Sequence, residues 1–230
     1  MESKDFIEVE SKWDILKKIV IERLRATFQK CPHCFFSEHD IHSVLYSLAR
    51  EELKQLGVDS QVTRDGYVTS LVHHEYPTPF RCDMHGYGFR IASDREKTSK
   101  GGLYKRGHYD LVILNPVFIK DNLMDAVCGK DYHIFRLQMC KIKVEPLIWA
   151  CEILYFPRIK KLPQKAIRII QQDVLKIKET LRYKVNHHKF CRIGSVHVFT
   201  NHLYNEAAGL EQETAKLAKN HEIEITFTTA

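Results

Sequence analysis

The chain has 230 residues, 44% of them hydrophobic and 28% charged, with a formal net charge of +6. That is enough apolar material for one sizeable core, so a single domain over 1–230 is expected; the run of about 20 apolar residues that a membrane-crossing helix needs is missing. Met1-Glu2-Ser3-Lys4-Asp5 does not open a signal-peptide pattern, and the seven cysteines are an odd, scattered set; the expectation is a cytoplasmic protein with reduced thiols, no membrane partner and a modest bias toward anionic partners such as nucleic acid.

From Ser11 to Gln29, Trp13, Ile15, Leu16, Ile19, Val20 and Leu24 recur at helical spacing. The pattern breaks at Lys30-Cys31-Pro32-His33-Cys34, so 1–36 reads as an N-terminal helix and turn. Ser37 with Glu38 and Asp40 reads as the start of a second helix, and Gly57 as its C-cap. Its stripe is Ile41, Leu45, Leu48 and Leu56, with Val44 and Leu53 at the edges. Tyr67 to His74 is strand-like and runs into Glu75-Tyr76-Pro77; Phe89-Arg90-Ile91 is a short edge piece; residues 94–107 are polar and read as a loop. Tyr109–Leu114 is an apolar run ending near Pro116, hence a buried strand, and Pro116–Val127 is a short helix with a Pro start.

His133 to Val144 alternates weakly. Leu147–Phe156 is a second buried-looking strand. A long helix from Pro163 to about Tyr183 carries Ile167, Ile170, Val174, Ile177 and Leu181 on one face. A strand at Ile193–Thr200, a helix at Leu203–Lys219 and a strand at Glu222–Thr228 close the chain. Strand, long helix, strand implies a crossover between parallel strands, and so an α/β fold with a mixed sheet between helices. On this reading 37–200 is the core and 201–230 adds a helix and a strand.

Two carboxylates interrupt the buried strands: Asp110 at the mouth of one and Glu152 in the middle of the other. Burying either is costly unless it is paired, and a shared divalent metal is one good reason for two. Glu75 ends the neighbouring strand; it completes the acidic cluster, orients Arg81, or faces solvent. Lys105 and Arg106, just before the Asp110 strand, and Lys160 and Lys161, after the Glu152 strand, are candidate nucleic-acid contacts. His108, two residues before Asp110, shares its sheet face.

Cys31-Pro32-His33-Cys34 offers a rival site. A redox CxxC opens a helix after a buried strand, whereas this one follows a long helix. With His39 and His42 the spacing is not that of a standard zinc finger, so zinc at Cys31/Cys34 is not expected. A metal-binding or redox protein using these cysteines is a third reading. Nucleophile elbow, Walker loop and dinucleotide fingerprint are all missing.

The strings Tyr109-Asp110-Leu111-Val112-Ile113 and Ala150-Cys151-Glu152-Ile153-Leu154, with the helix after them, resemble the PD-(D/E)XK nuclease superfamily over roughly residues 38–200. The resemblance implies a restriction-endonuclease-like mixed central sheet flanked by helices, here with an N-terminal helical extension. It implies Mg²⁺- or Mn²⁺-dependent hydrolysis of DNA or RNA phosphodiesters, with Asp110 and Glu152 as metal ligands and Glu75 a candidate third. An acid on the first helix would be Glu51 or Glu52; Glu52, which continues the stripe of Leu45 and Leu48, is preferred. The family's lysine position is occupied by Leu154. Either a lysine arrives from elsewhere, with Lys141, Lys143, Lys160, Lys161 and Lys165 as candidates and Lys143 taken as catalytic, or the chain is an inactive nucleic-acid or protein interaction module. The two alternatives differ in whether any lysine amine reaches the Asp110–Glu152 cleft. The sequence sets no oligomeric state.

Overall fold

The computed structural model describes residues 2–62, 66–83, 90–91, 104–127, 144–157, 164–185, 187–201, 204–221 and 223–230. Helix α1 (Glu2–Lys30) is followed by a 3-10 turn at Pro32–Cys34 and helix α2 (Glu38–Gln55). Trp13, Leu16, Val20, Leu24 and Phe28 make the buried stripe of α1, while Ile15 and Ile19 are exposed despite their helical spacing. Asp40 accepts the Ser37 backbone N–H at 2.8 Å, so the expected helix start is present. At the other end Gly57 adopts φ +70°, its N–H bonding Lys54 O and that of Val58 bonding Leu53 O, which closes the helix as a Schellman motif.

A short hairpin follows, β1 (Ser60–Val62) with β2 (Val68–Ser70). The main sheet then begins with β3 (Val72–Asp83), β4 (Arg90–Ile91) and β5 (Tyr104–Leu114). Helix α3 (Pro116–Val127) leads toward β6 (Leu147–Phe156); helix α4 (Gln164–Arg182) follows. A second small hairpin, β7 (Lys184–Val185) with β8 (His188–Lys189), precedes β9 (Cys191–Thr200), α5 (Tyr204–His221) and β10 (Glu224–Thr229). Residues 104–107, expected in a loop, belong to β5, where Lys105 pairs with Cys82 and Arg106 with Arg81. The single strand expected over Tyr67 to His74 is divided between β2 and β3, and β1, β7 and β8 add to the expected elements. The weakly alternating stretch His133 to Val144 lies almost entirely outside the described residues.

The six strands are ordered β10-β9-β6-β5-β3-β4. β4, β3, β5 and β6 run antiparallel in succession, while β6, β9 and β10 are parallel. The crossover through α4 is therefore the one that the strand–helix–strand order implies. The protein is α/β, with a mixed sheet flanked by helices. β6 is the central strand, buried along nearly its whole length, which is why it reads as an unbroken apolar run. Gly194 on β9 lets α4 come close: a Cβ there would lie 2.5 Å from Ile177 Cγ2. Among the described residues no helix is long and apolar enough to cross a membrane.

The ladder between β5 and β6 runs from Leu114↔Leu147 to Leu111↔Cys151 and stops there, while β6 stays paired with β9 as far as Phe156↔Thr200. One flank of β6 is thus released just where Asp110 and Glu152 lie. That notch positions the site.

Candidate metal centre

Backbone groups freed in the notch need partners, and carboxylates supply them. Asp110 Oδ2 accepts the Ile153 N–H at 2.6 Å, and Glu38 Oε2 accepts the Tyr155 N–H at 3.1 Å. Two acids from different elements are thereby pinned against the edge of β6. Glu38 is the first residue of α2, so the Ser37–Asp40 box that starts the helix also fixes the place of this acid.

Glu152 is buried, at 1% exposure, and pairs with Lys176 of α4 at 2.6 Å. The same ammonium reaches Asp173 Oδ1 at 3.1 Å and donates to His108 O at 3.0 Å. Asp173, Lys176 and Thr180 form a polar row along α4, spaced by three and four residues. Thr180 Oγ1 bonds Lys176 O, and lies 2.6 Å from the hydroxyl of Tyr109 on β5. The row faces the sheet beside the apolar stripe of Ile170, Val174 and Ile177, all fully buried.

A second donor set touches Asp110 from the other side. Ligand-type atoms of His42, Glu75 and Asp110 lie within 4.8 Å of one another, the one such group among the described residues. His42 is one turn along α2 from Glu38, and its Nε2 stands 3.7 Å from Asp110 Oδ2. Glu75 falls opposite Asp110 in the β3–β5 ladder, between His74↔Leu111 and Tyr76↔Tyr109. Its φ of +49° is left-handed, a conformation that costs a non-glycine residue on the order of 1–2 kcal/mol. The next residue back, His74, holds Asp110 O through Nδ1 at 3.1 Å.

Among the described residues, the acids of the pocket outnumber its cations: Glu38, Asp110, Glu152 and Asp173 surround one ammonium. Burial pushes the Asp110 carboxyl up to about 7, against the pull of Lys176 and the Ile153 N–H. Burial also raises Glu152 strongly and Glu38 less so. Burial alone would lower the Lys176 pKa, but Glu152, Asp173 and Asp110 outweigh it and the amine holds its proton firmly. His42 contributes no charge: burial, with His74 and His39 nearby, takes its pKa down to about 4. A neutral imidazole is the form that ligates metals.

Two buried side-chain atoms of these residues have no hydrogen-bond partner among the described residues, His42 Nε2 and Glu152 Oε1. An unsatisfied buried polar atom costs about 1–3 kcal/mol. Lone pairs left open beside a cluster of excess negative charge fit a divalent cation, with Asp110, Glu75 and His42 able to hold it and Glu152 at its flank.

The residues expected from the sequence are distributed as follows. Asp110 and Glu75 come together with His42, whereas Glu152, expected as a metal ligand, is outside that group and pairs with Lys176. Glu52 does not join them: its carboxylate pairs with Arg23 of α1 at 2.5 Å, and ten residues of helix, about 15 Å, separate it from His42. Glu51 binds the same arginine at 2.8 Å. The stripe that Glu52 continues faces α1, whereas the acid at the site comes from the helix N-terminus. Lys141, Lys143, Lys160 and Lys161 lie outside the described residues, and Lys165 is exposed. Lys105 and Arg106 have their backbone in β5. Leu154 is a buried core residue. The amine that reaches Glu152 is that of Lys176, which sequence reasoning missed, as it missed Glu38 and the ligand role open to His42. Cys31 and Cys34 are exposed free thiols, and neither belongs to the metal-ligating group.

No family model, no curated protein and no solved structure matches this chain.

Proposed function

We propose that the protein is a divalent-metal-dependent phosphodiesterase acting on nucleic acid, built on the PD-(D/E)XK plan with its lysine moved from β6 to α4. The observation that carries this reading is the Lys176 amine, 2.6 Å from Glu152 in a pocket that also holds Asp110. The element order supports it: helix α2, the antiparallel run β3-β5-β6, the crossover helix α4 and the parallel strand β9 follow the sequence of that core.

Asp110, Glu75 and His42 would hold the cation. Mg²⁺ and Mn²⁺ both suit carboxylates, and the imidazole nitrogen tips the choice toward Mn²⁺. When bound, the ion supplies a more acidic water and Lewis acidity at the phosphoryl oxygen. Lys176 keeps its charge and lends it to the phosphate as negative charge develops. Glu152 holds that ammonium in place, and Asp173 and His108 O fix its direction. Glu38 orients water at the mouth of the notch.

The test is cleavage of mixed-sequence DNA and RNA, single- and double-stranded, in Mn²⁺ and in Mg²⁺. Cation-dependent cleavage that falls at least about 100-fold in both Asp110→Ala and Lys176→Met is expected. Binding of nucleic acid without cleavage by folded wild type would replace this reading with that of an inactive interaction module. Cleavage untouched by Asp110→Ala would place the chemistry elsewhere.

A further inference from the structure

A ladder of rings leads away from the metal-ligating group along α2. His42 stacks on His74 with centroids 6.3 Å apart and planes at 22°. His74 stacks on Tyr46 at 4.5 Å and 25°. The Arg50 guanidinium stands over the Tyr46 ring, 5.9 Å from its centroid. His42, Tyr46, Arg50 and Lys54 recur every four residues, so each step advances about 6 Å along the helix and turns about 40° around it, from the buried side at His42 to the exposed side at Lys54. The ladder opens into a groove of about 310 Å³ lined by Tyr46, Ser47, Arg50, Glu51, Lys54 and Asp59. Glu51 is occupied by Arg23, which leaves the groove with two cations, an aromatic floor and the Asp59 carboxylate.

Those groups match the parts of a nucleotide. The outer face of the Arg50 guanidinium, backed by the Tyr46–His74 stack, offers a flat face for a base. Lys54 and Arg50 meet phosphate oxygens, and Asp59 accepts from a base amino group or a sugar hydroxyl. A base within a duplex has both faces covered by its neighbours, so a stacking groove serves an unpaired one. We propose that this groove holds the nucleotide next to the cleaved phosphate, and that the substrate class is single-stranded nucleic acid. The proposal deepens the hydrolase reading, and it rests on that reading for the position of the phosphate.

The experiment uses the full-length Asp110→Asn chain, which does not cut during the measurement. Fluorescence anisotropy would follow binding of labelled mixed-sequence 12-mers of DNA and RNA, each single-stranded and as a duplex. The expected result is single strands bound at least about 10-fold more tightly than duplexes. Adding Tyr46→Ala removes the ring that backs the Arg50 guanidinium and should weaken single-strand binding at least about 5-fold, with Tyr46→Phe near the parent. Lys54→Glu on the exposed flank should weaken binding and flatten its salt dependence, and it keeps the test sharp if Tyr46→Ala fails to fold. Duplex bound as tightly as single strand, or binding indifferent to both Tyr46→Ala and Lys54→Glu, overturns the groove. Cleavage by wild type separates the two readings. Wild type that cuts nothing, with Tyr46-dependent strand binding, defeats the hydrolase and keeps the groove; equal cutting of both strand forms, indifferent to Tyr46→Ala and Lys54→Glu, does the reverse.

Discussion

Asp110 should destabilise the protein when no cation is present. Its carboxyl is pushed up to about 7 from 3.8 by burial. Between those values the folded protein keeps a proton that the unfolded chain has given up. The resulting stability is complete below pH 3.8 and is lost as pH rises through 7. At pH 8 the ionised group carries a penalty of up to about 4 kcal/mol, from some three units at 1.36 kcal/mol each. Relaxation and water entering the notch should halve it. Asp110→Asn removes the charge and keeps an oxygen for the Ile153 N–H. In chelator at pH 8 the variant should therefore be about 2 kcal/mol more stable, or roughly 4–8 °C higher in Tm for a chain of this length. At pH 4 the two should melt together. Mn²⁺ should raise the Tm of wild type and leave the variant where it was. Differential scanning fluorimetry across pH reads all of this. A variant that melts below wild type at pH 8 in chelator would refute the reasoning, because Asp110 would then be a satisfied anion.

Three further outcomes follow from the same geometry. Lys176→Met strands a buried Glu152, so we expect a loss of about 3–5 kcal/mol in chemical denaturation at pH 8 and recovery of most of it in Lys176→Met/Glu152→Leu; a loss under 1 kcal/mol would mean that the pair is not buried as described. His197 bridges Ser195 and Thr226, and burial takes its pKa to about 3, so its ring stays neutral to pH 4 by NMR; because the unfolded chain takes up that proton first, wild type should lose up to about 1.4 kcal/mol per pH unit below pH 6.5 relative to His197→Asn. Glu52→Gln breaks only a partly exposed pair with Arg23, so stability should change by less than about 1 kcal/mol and cleavage not at all.

The scaffold was legible where burial is one-sided or complete. Ser37 and Gly57 bracket α2 because backbone groups at helix ends need those side chains or that φ. β6 and the end of β5 stand out because a central strand has no solvent face. The hairpins β1–β2 and β7–β8 are too short and polar to carry a period, and β5 begins under lysine and arginine that look like loop.

The site was half legible. Carboxylates in apolar strands are conspicuous; Asp110 joins the metal-ligating group, while Glu152 pairs with Lys176. Lys176 and Lys178 flank the apolar stripe of α4 equally in sequence, one residue either side of Ile177. Only the docked helix decides that one enters the notch and the other lies beside His221. Glu38 was hidden by its place at a cap, where an acid already has a local reason to be. Glu52 misled because the stripe it continues belongs to a helix–helix contact.

The place of the Lys176 amine on α4 also sets an order in time. A chain growing from its N-terminus produces every acid of the notch up to Glu152 before it produces Lys176. Until α4 has emerged and docked across β6 and β9, those acids have no internal counter-charge and the notch is only a frayed strand edge. A ribosome-bound or truncated chain ending near residue 160 would thus hold protons, or stray cations, where the finished protein holds an ammonium. The ammonium of the pocket is withheld until the crossover closes.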